Sequence, residues 1–433
     1  MRTSDLKFLP MVAFMSMAVM TSCSDDDNND GGNGGNGGDG GNVKYSQELF
    51  LSEANKNAVD YDFSNTFANF WVGTIDGGSD LSSKDAFFVS APYKGAVQAS
   101  SIWTDGWTLT NQIGGDNKPE QEAVETLNGT LSSGTKVLEA NKKYKLSGSY
   151  TVKAGATLKI EEGVTLVSID DNVVDYILVE QGGKIEAEGT AQNPIVMTSE
   201  RTEPGAWGGV HICGKAHTNV ENGTGKSEIG NASYGGNVEN DNSGILRYIR
   251  IEYAGYAFDE EHEANGFTFY GVGNGTTIDH LQAYRGSDDG FEWFGGSADV
   301  RYLVSTSNSD DSFDWTEGWN GRGQFLVAYQ EAQSTLNQDC DCLMECDNNG
   351  NNFDASPVAH PVLANVTLIG NGGAKQGIRL RAGTQIELYN ALVTGKGKCL
   401  TTETSQTEKA LVNGTSVLNN VYIATGVECN GDE

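Results

Sequence analysis

The chain has 433 residues, with 28 Lys+Arg against 59 Asp+Glu and a formal net charge of −31. That balance excludes nucleic acid as a partner, because neutralising phosphates needs clustered Lys and Arg. After the first 22 residues no apolar run approaches the length of a membrane-spanning helix, which excludes an integral helical transporter. Glycine contributes 56 residues and proline only 7, a composition of many tight turns rather than helices.

In chain order, a short segment carrying Arg2 and Lys7 precedes a 13-residue apolar stretch, Phe8–Met20. The stretch is too short to span a bilayer and has the length of a signal-peptide core. Thr21 and Ser22 are small, and Cys23 follows. The pattern predicts a lipoprotein signal over residues 1–22, cleavage before Cys23, and lipidation of that cysteine, so that the chain meets a membrane through acyl chains. Residues 23–42 are Asp-rich and then almost pure Gly and Asn, a flexible tether with nothing to bury. Asp26 to Gly31 matches the opening of an EF-hand loop, but position twelve is Gly37 instead of Glu, and calcium is not expected there. Ser24-Asp25-Asp26-Asp27 resembles the export signal of Bacteroidetes lipoproteins carried to the outer leaflet, which implies an outer-membrane, surface-exposed location.

Residues 43–130 differ in texture and are expected to form an N-terminal cap, with a short helix over Ser46–Tyr61. Trp71, Trp103 and Trp107 are expected to pack within this cap; sugar stacking is the alternative. From residue 131 to 433 short β-rich runs alternate with Gly, Asn or Asp turns, and Leu158-Lys159-Ile160 shows strict alternation. Ser287-Asp288-Asp289-Gly290-Phe291-Glu292-Trp293 recurs 22 residues later as Ser309-Asp310-Asp311-Ser312-Phe313-Asp314-Trp315. Phe267-Thr268-Phe269 sits 24 residues before Phe291. A coil of this length with polar corners predicts an all-β fold, a right-handed parallel β-helix, whose open ends need caps. Propeller blades would need about 40 residues. The segment near 330–361 is expected to be an insertion, and residues beyond about 400 a C-terminal cap.

The stretches DAFFVSAPYKGAVQASSIWTDGWT from Asp85, GSYTVKAGATLKIEEGVTL from Gly148, GAWGGVHICGKA from Gly205, YGGNVENDNSGILRYIRIEYAG from Tyr234 and DDGFEWFGG from Asp288 together resemble a widespread family of Bacteroidetes envelope β-helix lipoproteins of uncharacterised activity. Some relatives carry a multidrug-transporter label that this sequence does not support. The resemblance covers roughly residues 85–400 and implies fold and envelope location, without an activity. Its pattern makes Met344-Glu345-Cys346 the rung after Phe313–Trp315, followed by Gly377–Arg381.

Alternation then sends Phe267/Phe269, Phe291/Trp293 and Phe313/Trp315 inward and leaves Thr268, Glu292, Asp314, Glu345 and Arg379 as an outward row. Corner residues Asp288, Asp289, Asp310, Asp311 and Asp347 flank it. Carboxylates one rung apart repel and need compensation. Bound Ca²⁺, pairing with Arg379 or Arg381, and plain solvation are the three ways to supply it. Corner Asp residues also serve as turn formers without any ligand, and a solvated acidic face with turn-forming corners is the expected reading. The layout resembles, in general terms, β-helix pectate lyases, in which carboxylates hold Ca²⁺ beside a basic residue. That makes Glu292, Asp314 and Arg379 the only catalytic candidates. The Gly-His-Gly motif of β-helix polygalacturonases is missing. Nucleophile-elbow and P-loop motifs are missing as well.

Six cysteines remain after Cys23: Cys213, Cys340, Cys342, Cys346, Cys399 and Cys429. In an oxidising envelope they read as disulfide formers, with Cys340, Cys342 and Cys346 stapling the insertion and Cys399 joining Cys429. Zinc at the Cys340–Cys346 cluster is the weaker alternative, since no histidine completes it. Glu260-Glu261-His262-Glu263 reads as a solvated loop. The expected function is non-enzymatic: a surface β-helix that binds a glycan or an envelope protein. A Ca²⁺-dependent polysaccharide lyase or hydrolase is the alternative.

Overall fold

In a computed structural model the chain is described over residues 52–430, apart from 57, 111–120, 260–261, 337 and 425. The predicted signal, Cys23 and the tether lie outside the described residues. The β-rich runs are strands, and 25 of them join one parallel system in which each strand pairs with its equivalent one coil away. The coils wind over three faces, so the protein is a parallel β-helix. The alternation works as expected in Ala156–Ile160, where Leu158 and Ile160 are buried and Lys159 is exposed. Sequence displacement equals spatial register: Phe267 pairs with Phe291, and Phe291 with Phe313.

The inward aromatics form a stacked column. Ring centroids lie 5.2 Å apart for Phe267–Phe291, 5.5 Å for Phe291–Phe313 and 5.7 Å for Phe269–Trp293, all fully buried. Each such side chain contributes about 1.5–3 kcal/mol of burial, so the column fixes the register of the face outside it. Gly290 marks where these coils turn tightly: a Cβ there would lie 2.5 Å from Ser305 Oγ and 2.8 Å from Ser312 O.

A second column runs along one corner of the coil. Tyr248, His280, Tyr302 and Phe325 occupy equivalent positions with φ of 49°, 54°, 57° and 63°, and Asn365, Asn390 and Asn420 continue the series at 55°, 58° and 55°. Asparagine tolerates this left-handed conformation. The aromatic residues offset its strain by stacking, at 4.1 Å for Tyr248–His280, 4.3 Å for His280–Tyr302 and 4.9 Å for Tyr302–Phe325.

The N-terminal region is not a cap on the first coil. Residues 52–60 lie at the opposite end of the solenoid. Asn55 Nδ2 donates to Leu411 O (2.7 Å), Asn55 Oδ1 accepts the Leu418 amide (2.6 Å), and Val59–Asp60 pairs with Tyr422–Ile423. The segment then runs back along the corner column as a strap. Side-chain amides of the coils grip its backbone: Asn390 Nδ2 donates to Ser79 O (2.8 Å), Gln324 Nε2 to Val89 O (3.0 Å) and Gln282 Nε2 to Leu109 O (2.7 Å). Trp71 and Trp107 are buried, and Trp103 packs edge-on against Tyr302 at 5.1 Å, so these rings are packing residues. Residues 53–56 are turns, and no helix occurs in the described part of the predicted helical segment. The helical coil begins with Ala123–Leu131, inside the region expected to be cap. The predicted insertion carries a rung of its own, Met344–Cys346. The one described α-helix, Ser405–Val412, buries Leu411 near the C-terminal end. No described helix is long and apolar enough to cross a membrane.

Candidate metal centre

Parallel register stacks His211, Thr268, Glu292, Asp314, Glu345, Arg379 and Thr401 in one outward row. The expected solvated face is not what these residues form. Glu292 is 5%, Asp314 4% and Glu345 2% exposed. Two antiparallel hairpins that leave the coil cover the row: Gly225–Lys226 with Ser233–Tyr234, and Ala257–Asp259 with His262–Glu263. Their side chains and the Asp-rich corners close it into a cavity of about 20 Å³, room for about one water-sized occupant.

The lining comes from four levels of the molecule. Glu228 comes from the first hairpin and Glu263 from the second, while Asn265 is the corner residue of the coil that carries Phe267–Tyr270. Asp288, Asp289 and Glu292 belong to one coil, Asp310, Asp311 and Asp314 to the next, and Glu345 to the one after. Nine of these ten residues are carboxylates and none is basic. Sequence reasoning missed Glu228, Asn265 and Glu263; the last was read as part of a solvated loop. Asn265 was within reach of the repeat, two residues before Phe267 as Asp289 is before Phe291, whereas nothing periodic marks Glu228 and Glu263.

The corner residues have a structural duty as well. Asn265 Oδ1 accepts the Asp289 amide (3.2 Å), Asp289 Oδ1 the Asp311 amide (2.8 Å), and Asp311 Oδ1 the Cys342 amide (2.6 Å). Each side chain thus caps the turn of the next coil with one oxygen, and each carboxylate keeps a second. Asn265 Nδ2 also donates to Glu292 Oε2 and to Thr268 Oγ1 (3.2 Å). Turn chemistry and site chemistry share the same residues.

Burial is the main cause of the electrostatic state, and like charge adds to it. Both hold Glu228 protonated up to about 8. They push Asp288, Asp289, Glu292 and Asp311 well above the carboxylate range; Asp310 acts on Asp288, Asp314 on Asp289, Glu228 on Glu292 and Glu345 on Asp311. Such a cavity either retains protons or takes up a cation.

The donor set fits a hard divalent cation. Asp288, Asp289 and Asp310 bring carboxylate oxygens within 4.8 Å of one another, as do Asp289, Glu292 and Asp314, and Asp311, Asp314 and Glu345. Oxygens about 2.3–2.6 Å from Ca²⁺ stand up to about 5 Å apart. The cation tests well against these residues, and the overlapping groups offer more oxygens than it needs. A fourth group, Asp311, Asp341 and Cys342, includes a thiol and suits Ca²⁺ less.

Beyond Glu345 the row changes character. Arg379 Nη1 lies 3.1 Å from Glu345 Oε2, and Arg379 Nε 2.8 Å from Glu403 Oε1. Arg381 pairs with Glu345 and, at 2.9 Å, with Asp347. Arg379 is held more firmly protonated than a free guanidinium, by Glu345 and Glu403 against the opposing effect of burial. It stands as a counter-charge to Glu345 and Glu403. Asp347 is also corrected: it follows its strand, whereas Asp288 and Asp310 precede theirs, so it stands outside the cavity against Arg381.

The cysteines are corrected in the same way. Cys213, Cys340, Cys342, Cys346, Cys399 and Cys429 are free thiols. Cys346 and Cys399 point into the coil core, and Cys429 pairs in register with Thr402, two positions past Leu400 and away from Cys399. Parallel register thus separates Cys399 from Cys429.

Fold and site together define a parallel β-helix with a buried, carboxylate-lined cavity on one face. The pectate-lyase-like beta-helix domain family matches residues 129–431, and the chain belongs to that family. Neither a curated protein nor a solved structure matches it.

Proposed function

We propose that this protein is a non-enzymatic, calcium-loaded binding β-helix, displayed at the outer membrane by lipidation of Cys23, whose rigid outer surface engages a glycan or an envelope protein. The observation that carries the reading is the cavity, where nine carboxylates meet without a lining cation. Asp288, Asp289, Glu292, Asp310, Asp311 and Asp314 would hold the ion. Its charge would draw together the coils and the two hairpins bearing Glu228 and Glu263. Further support comes from Arg379, which is engaged by two carboxylates and so is not poised to take a substrate proton.

Calorimetric titration of chelator-treated protein with CaCl₂ tests the cation. Binding near one equivalent, lost in Asp289→Asn/Glu292→Gln, is the expected result. No heat, with an unchanged melting temperature, overturns it. The anchor is tested separately, by labelling cells with a fatty-acid probe. Label on the wild-type chain that disappears in Cys23→Ala is expected, and an unlabelled wild type removes the anchor.

A further inference from the structure

A second concavity, of about 680 Å³, opens at the C-terminal end of the solenoid, where the N-terminal segment folds onto the last coils. Its size lies within the roughly 300–1,000 Å³ of small-ligand pockets. Tyr61, Phe63 and Phe67 line it with rings, and Asp62, Ser64 and Thr394 line it with side-chain oxygens. Tyr61 is 39% exposed, one of the few large apolar side chains left open to solvent. It is nevertheless held in place. Its ring stacks on Tyr422 at 4.7 Å with planes 13° apart, and Lys94 Nζ lies 4.9 Å from the Tyr422 ring centroid. Phe63 braces Tyr61 edge-on at 5.2 Å and stacks on Phe67 at 6.3 Å. A rigid, backed aromatic ring with an open side loses little conformational entropy when a ligand lies against it.

We propose that this groove binds a neutral glycan, with the C–H face of a pyranose against Tyr61 and hydroxyls on Asp62, Ser64 and Thr394. Three features select the chemistry. The exposed ring offers a flat apolar surface, which favours a sugar with axial C–H bonds over a charged group. The lining also carries oxygens for hydroxyls: the Ser64 amide donates to Asp62 Oδ1 at 2.9 Å, which fixes that carboxylate and leaves its second oxygen and Thr394 Oγ1 for a ligand. No lining residue is cationic and Asp62 is a carboxylate, so a uronate or sulfated sugar meets repulsion. The groove shares no lining residue with the acidic cavity, so binding is independent of calcium.

The test is affinity electrophoresis and calorimetry of the full chain with cellohexaose, xylohexaose and laminarihexaose, and with hexagalacturonate as the anionic control. At least one neutral chain is expected to bind and hexagalacturonate is not. Tyr61→Ala is expected to weaken binding about tenfold, the scale of one aromatic stacking contact, while Tyr61→Trp retains it. Adding chelator leaves the affinity unchanged, which separates this site from the calcium reading. Because Tyr61→Ala also unpacks Tyr422, Asp62→Asn and Ser64→Ala provide rim variants that leave the stack intact, and each is expected to weaken binding several-fold. Absence of binding by all three neutral chains at millimolar concentration overturns the proposal. So does binding that persists unchanged in Tyr61→Ala and in both rim variants.

Discussion

The outward row of the site face divides into two halves built from the same repeat and treated oppositely by the fold. From Glu292 to Asp314 the carboxylates face a cavity with no basic lining residue. From Glu345 to Thr401 the row contains Arg379, which with Arg381 answers the charge of Glu345, Glu403 and Asp347. A parallel solenoid stacks like on like, so it accumulates charge by default. One half meets that accumulation with Arg379 and Arg381; the lining of the other has no basic residue, and burial with like charge holds its carboxyls above the ordinary range. The difference teaches that stacked carboxylates are reconciled either by a guanidinium in the same row or by what the cavity itself retains.

The sharpest way to break the comparison is to remove the encoded partner. Arg379→Met leaves Glu345 and Glu403 buried with less compensation, and is expected to destabilise by about 3–5 kcal/mol, the effect of breaking a buried ion pair from one side. Urea denaturation measures it, and the loss is expected with or without calcium. A neutral effect would mean that Arg381 alone suffices. The next effect belongs to the other half. Removing calcium from protein held at 100 times its dissociation constant is expected to cost about 2.7 kcal/mol of stability. In Glu292→Gln that difference shrinks, and the metal-free variant is more stable than metal-free wild type, the opposite sign to Arg379→Met.

The fold was legible because its signal is periodic. The 22-residue displacement between Phe291 and Phe313 is the register itself, and the alternation that buries Phe313 and Trp315 points Asp314 outward. Glu292 and Asp314 followed from that alone, whereas Glu345, beyond the break in the period, was placed by the family resemblance. What alternation cannot reveal is what lies over an outward residue. The two hairpins interrupt the repeat with no period of their own, so Glu228 and Glu263 went unseen and the row was read as solvated; Asn265 does follow the period, two residues before Phe267 as Asp289 is before Phe291, but its amide hid it among the carboxylates. The strap was hidden for a related reason. Asn55 and Tyr61 meet Leu418 and Tyr422 across more than 350 residues, a contact set by closure of the solenoid end and not by local pattern. The cysteines misled because spacing in sequence was taken for proximity, whereas consecutive coils separate Cys399 from Cys429 by register.

The smallest expected effect is also the one that separates protons from metal ions as the occupant of the cavity half. Glu228 titrates near 8 in the folded chain against an ordinary 4.5. Between those values the folded state holds a proton that the unfolded chain has released, so the group stabilises fully below about pH 4.5 and this contribution is lost as pH rises through about 8. Asp288, Asp289, Glu292 and Asp311 shift in the same direction and add to the slope. Metal-free protein is therefore expected to lose at least about 1.4 kcal/mol between pH 5 and pH 9, one unit of one carboxyl's shift. With calcium saturating, the cation takes the place of the protons. The slope flattens, and calcium affinity itself rises with pH because protons compete for the same oxygens. Chemical denaturation at each pH, with and without the ion, reads both. A metal-free stability that rises with pH over this range would show that the cavity carboxylates are already compensated within the chain, and would erase the distinction between the two halves.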